Sequence, residues 1–447
     1  MSRRYLFFLV TISAACFLLY LVVRHAPILG SHQSHIVSAV KLRSGQSSDV
    51  GLPSFSLCNC SCSTVNSVTR AAKGRHATTP ASGHQTVVDV NSDPVRHDVV
   101  MGTRPLGSSV VIMAVMRTGS SFVGEIFGQN ENTFYLFEPG IPLENELIAH
   151  NETSVFMQQL YIDMMNSLYR CNVTYLDFYL KSLSGKNQNT ILKSAPRLFD
   201  SLCPKMKRGG SGRFLCGKVS PIQFVQKCRE KRSIVIKSIR IWHIGMFLPL
   251  IQSANLKVIH LVRDPRGMTA SRVPAMNVVD NTSNKLQAES FTEEMREYLI
   301  RYCSLSLENK ETGLYLPKYR DNYFLLRYED MSLDPERVTQ LLYNFTGLGA
   351  VPETVSKWIA ENTQAYRPGV YSTTRVSSQV YQSWRKKLDF KTAKAIENVG
   401  RCAEMMEHFG YLPVRDKSHL KNLSFPLLAP IPAEHDSQKY QSYRFTG

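Results

Sequence analysis

Six consecutive apolar residues, Val110-Val111-Ile112-Met113-Ala114-Val115, run directly into Met116-Arg117-Thr118-Gly119-Ser120-Ser121-Phe122, and no other stretch constrains the chain as tightly. An uninterrupted apolar run of this length, rich in β-branched residues, fits a strand buried on both faces, as in a parallel sheet covered by helices. Val123 to Gln129 can continue as a helix with Ser121 near its start. Strand, glycine-containing turn and helix make a phosphate cradle, because the first-turn amides lack intrahelical partners and sit at the positive end of the helix dipole. Arg117 adds a bidentate donor fork, and the hydroxyls of Thr118, Ser120 and Ser121 add further donors. A serine-capped turn with no ligand would read the same locally, so the inference needs a second signal. A Walker A loop is excluded, since Gly119 lacks the earlier glycine and the lysine of G-x-x-x-x-G-K-[ST].

The second signal lies downstream. Ser233 to Lys237 reads as a strand, Trp242 to Ser253 as a helix interrupted by Pro249, and Leu256 to Val262 as another strand. That rhythm predicts neighbouring parallel strands in an α/β fold with a central parallel sheet. Tyr323 to Tyr328 reads as a further strand, and Glu289 to Asn309 and Pro335 to Phe345 as covering helices. The strand ending at Val262 runs into Arg263-Asp264-Pro265-Arg266-Gly267-Met268-Thr269-Ala270-Ser271-Arg272. Ligands of open parallel sheets bind outside the carboxyl ends of the strands, where both polar loops fall. Three arginines and a serine there form a second candidate anion site, although Arg263-Asp264-Pro265 alone also reads as a salt-bridged turn. No D-x-D occurs in the chain, so the carboxylate pair with which many metal-dependent glycosyltransferases hold a nucleotide sugar is missing.

Charge and cysteine usage set the context. The 53 Lys and Arg against 36 Asp and Glu leave +17; ten basic and four acidic residues precede residue 106, so +11 falls on the remainder. An anionic ligand is expected. Tyr5 to Val23 is an uncharged run of 19 residues, which at about 1.5 Å per residue nearly spans a hydrocarbon core of about 30 Å. We expect a membrane anchor there, in preference to a cleaved signal peptide, with residues 1–4 cytoplasmic. Sequons at Asn59, Asn151, Asn172, Asn281, Asn344 and Asn422 favour a lumenal location for the rest. Residues 24–105 read as a stem, 106–413 as the catalytic head and 414–447 as a tail. Nine cysteines lie beyond the anchor, an odd number that leaves one for a bond between chains. Cys58, Cys60 and Cys62 have poor spacing for zinc and read as stem disulfides, and Cys203, Cys216 and Cys228 as loop staples around the basic stretch Lys205 to Arg232. That stretch is a candidate for steering an acidic polysaccharide.

RTGSSFVGE after a buried strand, FYLFEP at Phe134 to Pro139 and LVRDPRGMTASR at Leu261 to Arg272 together resemble the Golgi carbohydrate 6-O-sulfotransferases. The resemblance spans about Ser109 to Leu412. It implies a P-loop-like sulfotransferase fold, the donor 3'-phosphoadenosine 5'-phosphosulfate (PAPS), no metal, and a type II Golgi membrane protein with a lumenal head. It implies that Met116 to Phe122 hold the 5'-phosphosulfate, and that Arg263 to Ser271, with Arg263 and Ser271 foremost, hold the 3'-phosphate. The acceptor would be the 6-hydroxyl of galactose or N-acetylgalactosamine, with N-acetylglucosamine a further option, in a glycosaminoglycan such as chondroitin or keratan or in a related glycan. No nucleic-acid partner is expected in a lumen, and a homodimer, disulfide-linked or not, is an option. The alternative is a non-catalytic lumenal glycan-binding membrane protein on the same fold.

In-line sulfuryl transfer needs positive charge at the leaving phosphate and a base for the attacking hydroxyl. Arg117 fits the first role. Glu138, at the end of an apolar run, fits the second, with a carboxyl pKa expected to be raised by apolar surroundings. A structural pairing of Glu138 is the competing reading. Lys237 and Arg240 are additional donors or solvated side chains, and His243 and His260 are weaker base candidates. The tract Tyr371 to Lys387 resembles a loop near the donor, with Arg375 and Ser378 as contacts. One departure bears on the acceptor: Gly140-Ile141-Pro142-Leu143 stands where many relatives have an aromatic residue and a histidine.

Overall fold

The computed structural model describes residues 107–147, 155–184, 195–203, 207–208, 214–215, 217–279, 292–369 and 372–432. The expected anchor, the stem with its three closely spaced cysteines, and the side chains of Lys205 to Arg208 lie outside this description. Among the described residues no helix is long and apolar enough to cross a membrane.

Among the described residues the strands are β1 (Ser108–Met113), β2 (Thr133–Phe137), β3 (Lys207–Arg208), β4 (Phe214–Leu215), β5 (Ser233–Ser238), β6 (Lys257–Val262) and β7 (Tyr323–Arg327). Five of them form a parallel sheet in the order β2-β5-β1-β6-β7, while β3 and β4 make a small antiparallel ribbon. β1 is central and covered on both faces, so Val110, Val111, Ile112 and Met113 are at most 1 % exposed. Burial of that kind favours a continuous apolar strand over an alternating one.

One topological expectation is corrected. β5 and β6 are parallel but are not neighbours: β1 lies between them, pairing Val111 with Ile236 on one side and with Val258 on the other. A βαβ rhythm fixes direction, whereas adjacency depends on where a third strand inserts. The connection is also different in detail. A 3-10 turn at Ile244–Phe247 leads into a helix at Leu248–Ala254. Pro249 sits in the first turn, where its missing amide costs nothing, so it begins the helix and does not interrupt it. The later helix runs from Glu293 to Tyr315, capped by the Thr292 hydroxyl, which accepts from the Met295 amide at 3.3 Å. Tyr328 leaves the sheet and opens the next helix, Tyr328–Leu333.

Disulfides join Cys171 to Cys228 and Cys303 to Cys402, and Cys203 is also disulfide-bonded. Cys228 therefore closes onto a distant helix end and is not a staple within the basic stretch. The expected tail after residue 413 is part of the head through the described residues. Arg385 is fully buried and donates to the carbonyls of His419, Leu420, Asn422 and Phe425 at 2.6 to 2.9 Å.

Candidate active site

The chain leaves β1 toward β2 on one side of the sheet and leaves β6 toward β7 on the other. Diverging connections open a crevice between the carboxyl ends of the two strands, the usual ligand position in such sheets. Both polar loops meet there. In the first, Arg117 has φ +75° and Gly119 φ +92°. Gly119 caps a helix at Ser120–Gly128, one residue earlier than expected, and its carbonyl accepts the amides of Phe122 and Val123 at 3.0 and 3.3 Å. The amides of Ser120 and Ser121 precede those first bonds and are oriented by the same turn. Thr118 is turned inward: its hydroxyl donates to Val115 O at 2.9 Å, so the expectation that it faces a ligand is corrected.

Gly119 is required twice over. Its φ is unfavourable for an L side chain, and a Cβ would lie 2.4 Å from the Tyr328 ring. Gly119→Ala is expected to displace the loop or Tyr328, lowering donor affinity at least tenfold and stability by about 1–3 kcal/mol; titration with donor product and chemical denaturation check both.

The second loop is bolted to the first. Arg117 Nε donates to Ser271 Oγ at 3.1 Å, and Arg263 NH1 donates to the Arg117 carbonyl at 2.9 Å. The Tyr302 hydroxyl accepts the Arg263 amide at 2.9 Å and donates to the Arg263 carbonyl at 2.7 Å. The Arg263 guanidinium lies over Tyr328, 4.2 Å from the ring centroid. Arg263 Nε is buried with no hydrogen-bond partner among the described residues, a donor that an anion in the crevice would satisfy. Gly267 keeps that space open, since a Cβ there would meet Arg263 Nε at 3.3 Å and Trp384 at 3.2 Å.

Other members of the run face away. Asp264 accepts from the amide, Nε and NH2 of Arg266, and Arg266, fully buried, also pairs with Glu397 at 2.7 Å and stacks on Trp384. The salt-bridged turn is therefore present, but in Asp264 and Arg266, and the assignment of their side chains to the ligand is corrected. Met268, Thr269 and Ala270 are core positions, and Pro265 starts the helix Pro265–Val279. Behind them Glu329 accepts the Asp264 amide at 3.1 Å and the Tyr411 hydroxyl at 2.9 Å. Burial first, then the nearby Asp264 charge, push its carboxyl up to about 7, against an opposing pull from Arg263. A raised carboxyl pKa stabilises the fold fully below about 4.5 and less as pH rises through about 7. Glu329→Gln should flatten that slope, worth roughly 3 kcal/mol at about 1.36 kcal/mol per pKa unit, in denaturation at pH 5 and pH 8.

Glu138 stands at the end of β2 with φ +43°, 7 % exposed. Lys237 on β5 donates to one carboxylate oxygen, and Arg240 NH1 donates to the other at 2.7 Å. Arg240 continues to Glu144 at 2.5 Å, tying in the helix Ile141–Leu147 that carries the departure from the relatives' pattern. Burial alone would raise the Glu138 pKa, but Lys237 and then Arg240 outweigh it and hold the carboxyl below its ordinary 4.5. The expected upward shift is corrected: the surroundings supply two cations, not an apolar wall. Lys237 is pulled below its ordinary value by burial, and the Arg240 and Arg117 charges act in the same direction. His260 is a core residue, bonded to Tyr323 and pushed down to about 3 by burial, while His243 Nδ1 accepts the Gly245 amide. Neither faces the crevice as a base.

Arg375 donates to the carbonyls of Arg367, Gly369 and Thr374; partial burial first, then the charges of Arg263, Arg117 and Arg375, hold the nearby Lys387 below its ordinary pKa. Lys387, Tyr302 and Tyr328 were not legible as site residues. Only the proximity of Lys387 to the expected donor loop signalled anything.

Residues 108–410 match the family model described as a sulfotransferase domain. A carbohydrate sulfotransferase 3 from Tetronarce californica is 33% identical over 337 residues, covering 71% of this chain and 76% of the relative. The chain belongs to the carbohydrate sulfotransferases. A Danio rerio carbohydrate sulfotransferase 1 is 31% identical, covering 71% of this chain and 81% of its own length. Among solved structures, a sulfotransferase domain from the curacin biosynthetic pathway covers 66% of this chain and 97% of its own, with 15% identity and a TM-score of 0.34. In this carbohydrate sulfotransferase the family match begins at β1 and ends beyond the last helix that packs on Arg266.

Proposed function

We propose that this protein transfers a sulfuryl group from PAPS to the 6-hydroxyl of galactose or N-acetylgalactosamine in a glycosaminoglycan or related glycan, as a lumenal head on a membrane-anchored stem. The observation that carries the reading is the joining of two anion loops in one crevice, with a carboxylate held at the end of β2, beyond β5 on the same carboxyl edge of the sheet. The unpartnered Arg263 Nε and the open space at Gly267 fit a phosphate at one end, and the amides of Ser120 and Ser121 with Arg117 fit one at the other. PAPS, when bound, supplies an activated sulfuryl group and a phosphate leaving group.

The protein's own residues then do three things. Arg117 and the helix amides stabilise charge that develops on the bridging oxygen. Arg263, held at its backbone by Tyr302 and at its face by Tyr328, fixes the other end of the donor. Glu138 takes the proton from the acceptor hydroxyl. A carboxylate paired with Lys237 and Arg240 is a weak base, but it is ionised at neutral pH, and the hydroxyl becomes acidic only as its oxygen bonds to sulfur. A weak base acting late in a loose transition state suffices.

The test incubates the purified full-length protein with radiolabelled PAPS and desulfated chondroitin, keratan and mucin-type glycans, followed by mapping of the label. Label at a 6-hydroxyl supports the reading. Donor binding without transfer to any glycan would replace it with the glycan-binding alternative.

A further inference from the structure

Beside the carboxyl end of β5 lies a cleft of about 520 Å³, lined by Gln158, Trp242, His243, Glu297, Arg301 and Ser304 among others. Its volume is within the roughly 300–1,000 Å³ usual for ligand sites. None of these residues belongs to either anion loop. The helix Glu293–Tyr315 supplies one wall and the turn after β5 another.

The lining has two kinds of surface. Trp242 is rigidly set: its Nε1 donates to the Ile239 carbonyl at 2.9 Å, and Tyr298 meets its ring edge-on at 5.0 Å. Ile300, 38 % exposed, extends the apolar part. Around it stand planar polar groups. Arg301 lies over the Trp242 ring at 4.6 Å, a contact that requires none of its five N–H groups. His243 accepts the Gly245 amide at Nδ1, so the neutral ring carries its proton on Nε2. Glu297 and Gln158 add acceptors. A pyranose ring has the matching pair of surfaces, a face of C–H groups and a rim of vicinal hydroxyls that planar carboxylate, amide and guanidinium groups bind two at a time. One carboxylate and one guanidinium, a turn apart on the same helix, suit hydroxyls better than the phosphates of a second nucleotide.

We infer that this cleft binds a sugar ring of the acceptor chain next to the one being sulfated, a conclusion that rests on the proposed function. The cleft is tied to the reacting edge both along the chain and by side-chain contact. Trp242 follows Arg240, whose guanidinium holds Glu138, by two residues. Arg272 reaches Met116 Sδ in the first anion loop at 3.2 Å and lies 3.8 Å from the Tyr298 ring centroid. The enzyme therefore reads at least two consecutive sugars and favours oligosaccharides over monosaccharides.

Arg301→Ala and Glu297→Gln alter exposed side chains on one helix. Each is expected to raise KM for a desulfated tetrasaccharide about tenfold relative to a monosaccharide, with donor affinity unchanged. Calorimetry with a 6-deoxy tetrasaccharide, which cannot accept sulfate, should show the same weakening of Kd. Unchanged tetrasaccharide binding in both variants overturns the inference. If the wild type sulfates no glycan, the functional reading fails, and calorimetry alone then decides the cleft: weakened binding in the variants supports it, and equal or absent binding rejects it.

Discussion

Arg117→Ala should lower kcat/KM by about 10²–10³ and weaken donor affinity at least tenfold, while leaving the fold in place. Arg117 holds the crevice from both ends, with Nε on Ser271 and its carbonyl on Arg263 NH1. Only the first of these contacts uses the side chain, so the variant keeps the link to Arg263. Its φ of +75° costs an alanine about as much as it costs arginine, and β1 beneath it is unchanged. Arg117→Lys keeps a charge but loses the fork, and should recover only a small part of the loss. Equilibrium binding of the donor's desulfated product separates affinity from turnover, and an unchanged affinity in Arg117→Ala would remove this residue from the donor site.

Glu138→Gln should cut kcat by about 10²–10⁴ with donor affinity retained. Loss of the carboxylate also leaves Lys237, 2 % exposed, without its counter-ion, and removing one member of a buried pair costs about 3–5 kcal/mol. The double variant Glu138→Gln with Lys237→Met separates the two effects, because it should regain stability without regaining turnover. The pH dependence is distinctive. A carboxyl held below 4.5 places the acid limb of kcat/KM below pH 4.5, not near neutrality as an apolar setting would. The stability that Glu138 contributes is present above the unfolded-state pKa and is lost as pH falls through the lower folded value. An acid limb near pH 6.5 that vanishes in Glu138→Gln would contradict this electrostatic picture, and unchanged turnover would exclude Glu138 as the base.

Glu138 also shows where reading the chain reaches its limit. Phe134 to Phe137 announce a buried strand, and their apolar character invites the conclusion that the next carboxylate is in apolar surroundings. Its real neighbours, Lys237 and Arg240, come from β5 and the turn that follows it, because β5 pairs with β2 in the register Phe137 to Lys237. Their distance along the chain hides the pairing, and a buried lysine is indistinguishable in sequence from a solvated one. The same holds for Gly119. Its glycine could be assigned to the turn, but the obstacle that excludes a side chain, the Tyr328 ring, arrives from the far end of the sheet.

By itself the sequence determined the parallel α/β class, the strand-loop-helix at Arg117, the second loop at Arg263 and the carboxylate at the end of β2. Each is written in contiguous residues, as apolar runs, a glycine turn and the polar residues that end a strand, and local conformational preference is enough to read them. Only the tertiary structure decided that β1 inserts between β5 and β6, that Ser271 therefore touches Arg117, that Arg266 supports the loop from within, and that two cations lower the Glu138 pKa. Those outcomes depend on strand order, register and side-chain direction, which are set when distant segments bury one another and leave no trace in the spacing along the chain.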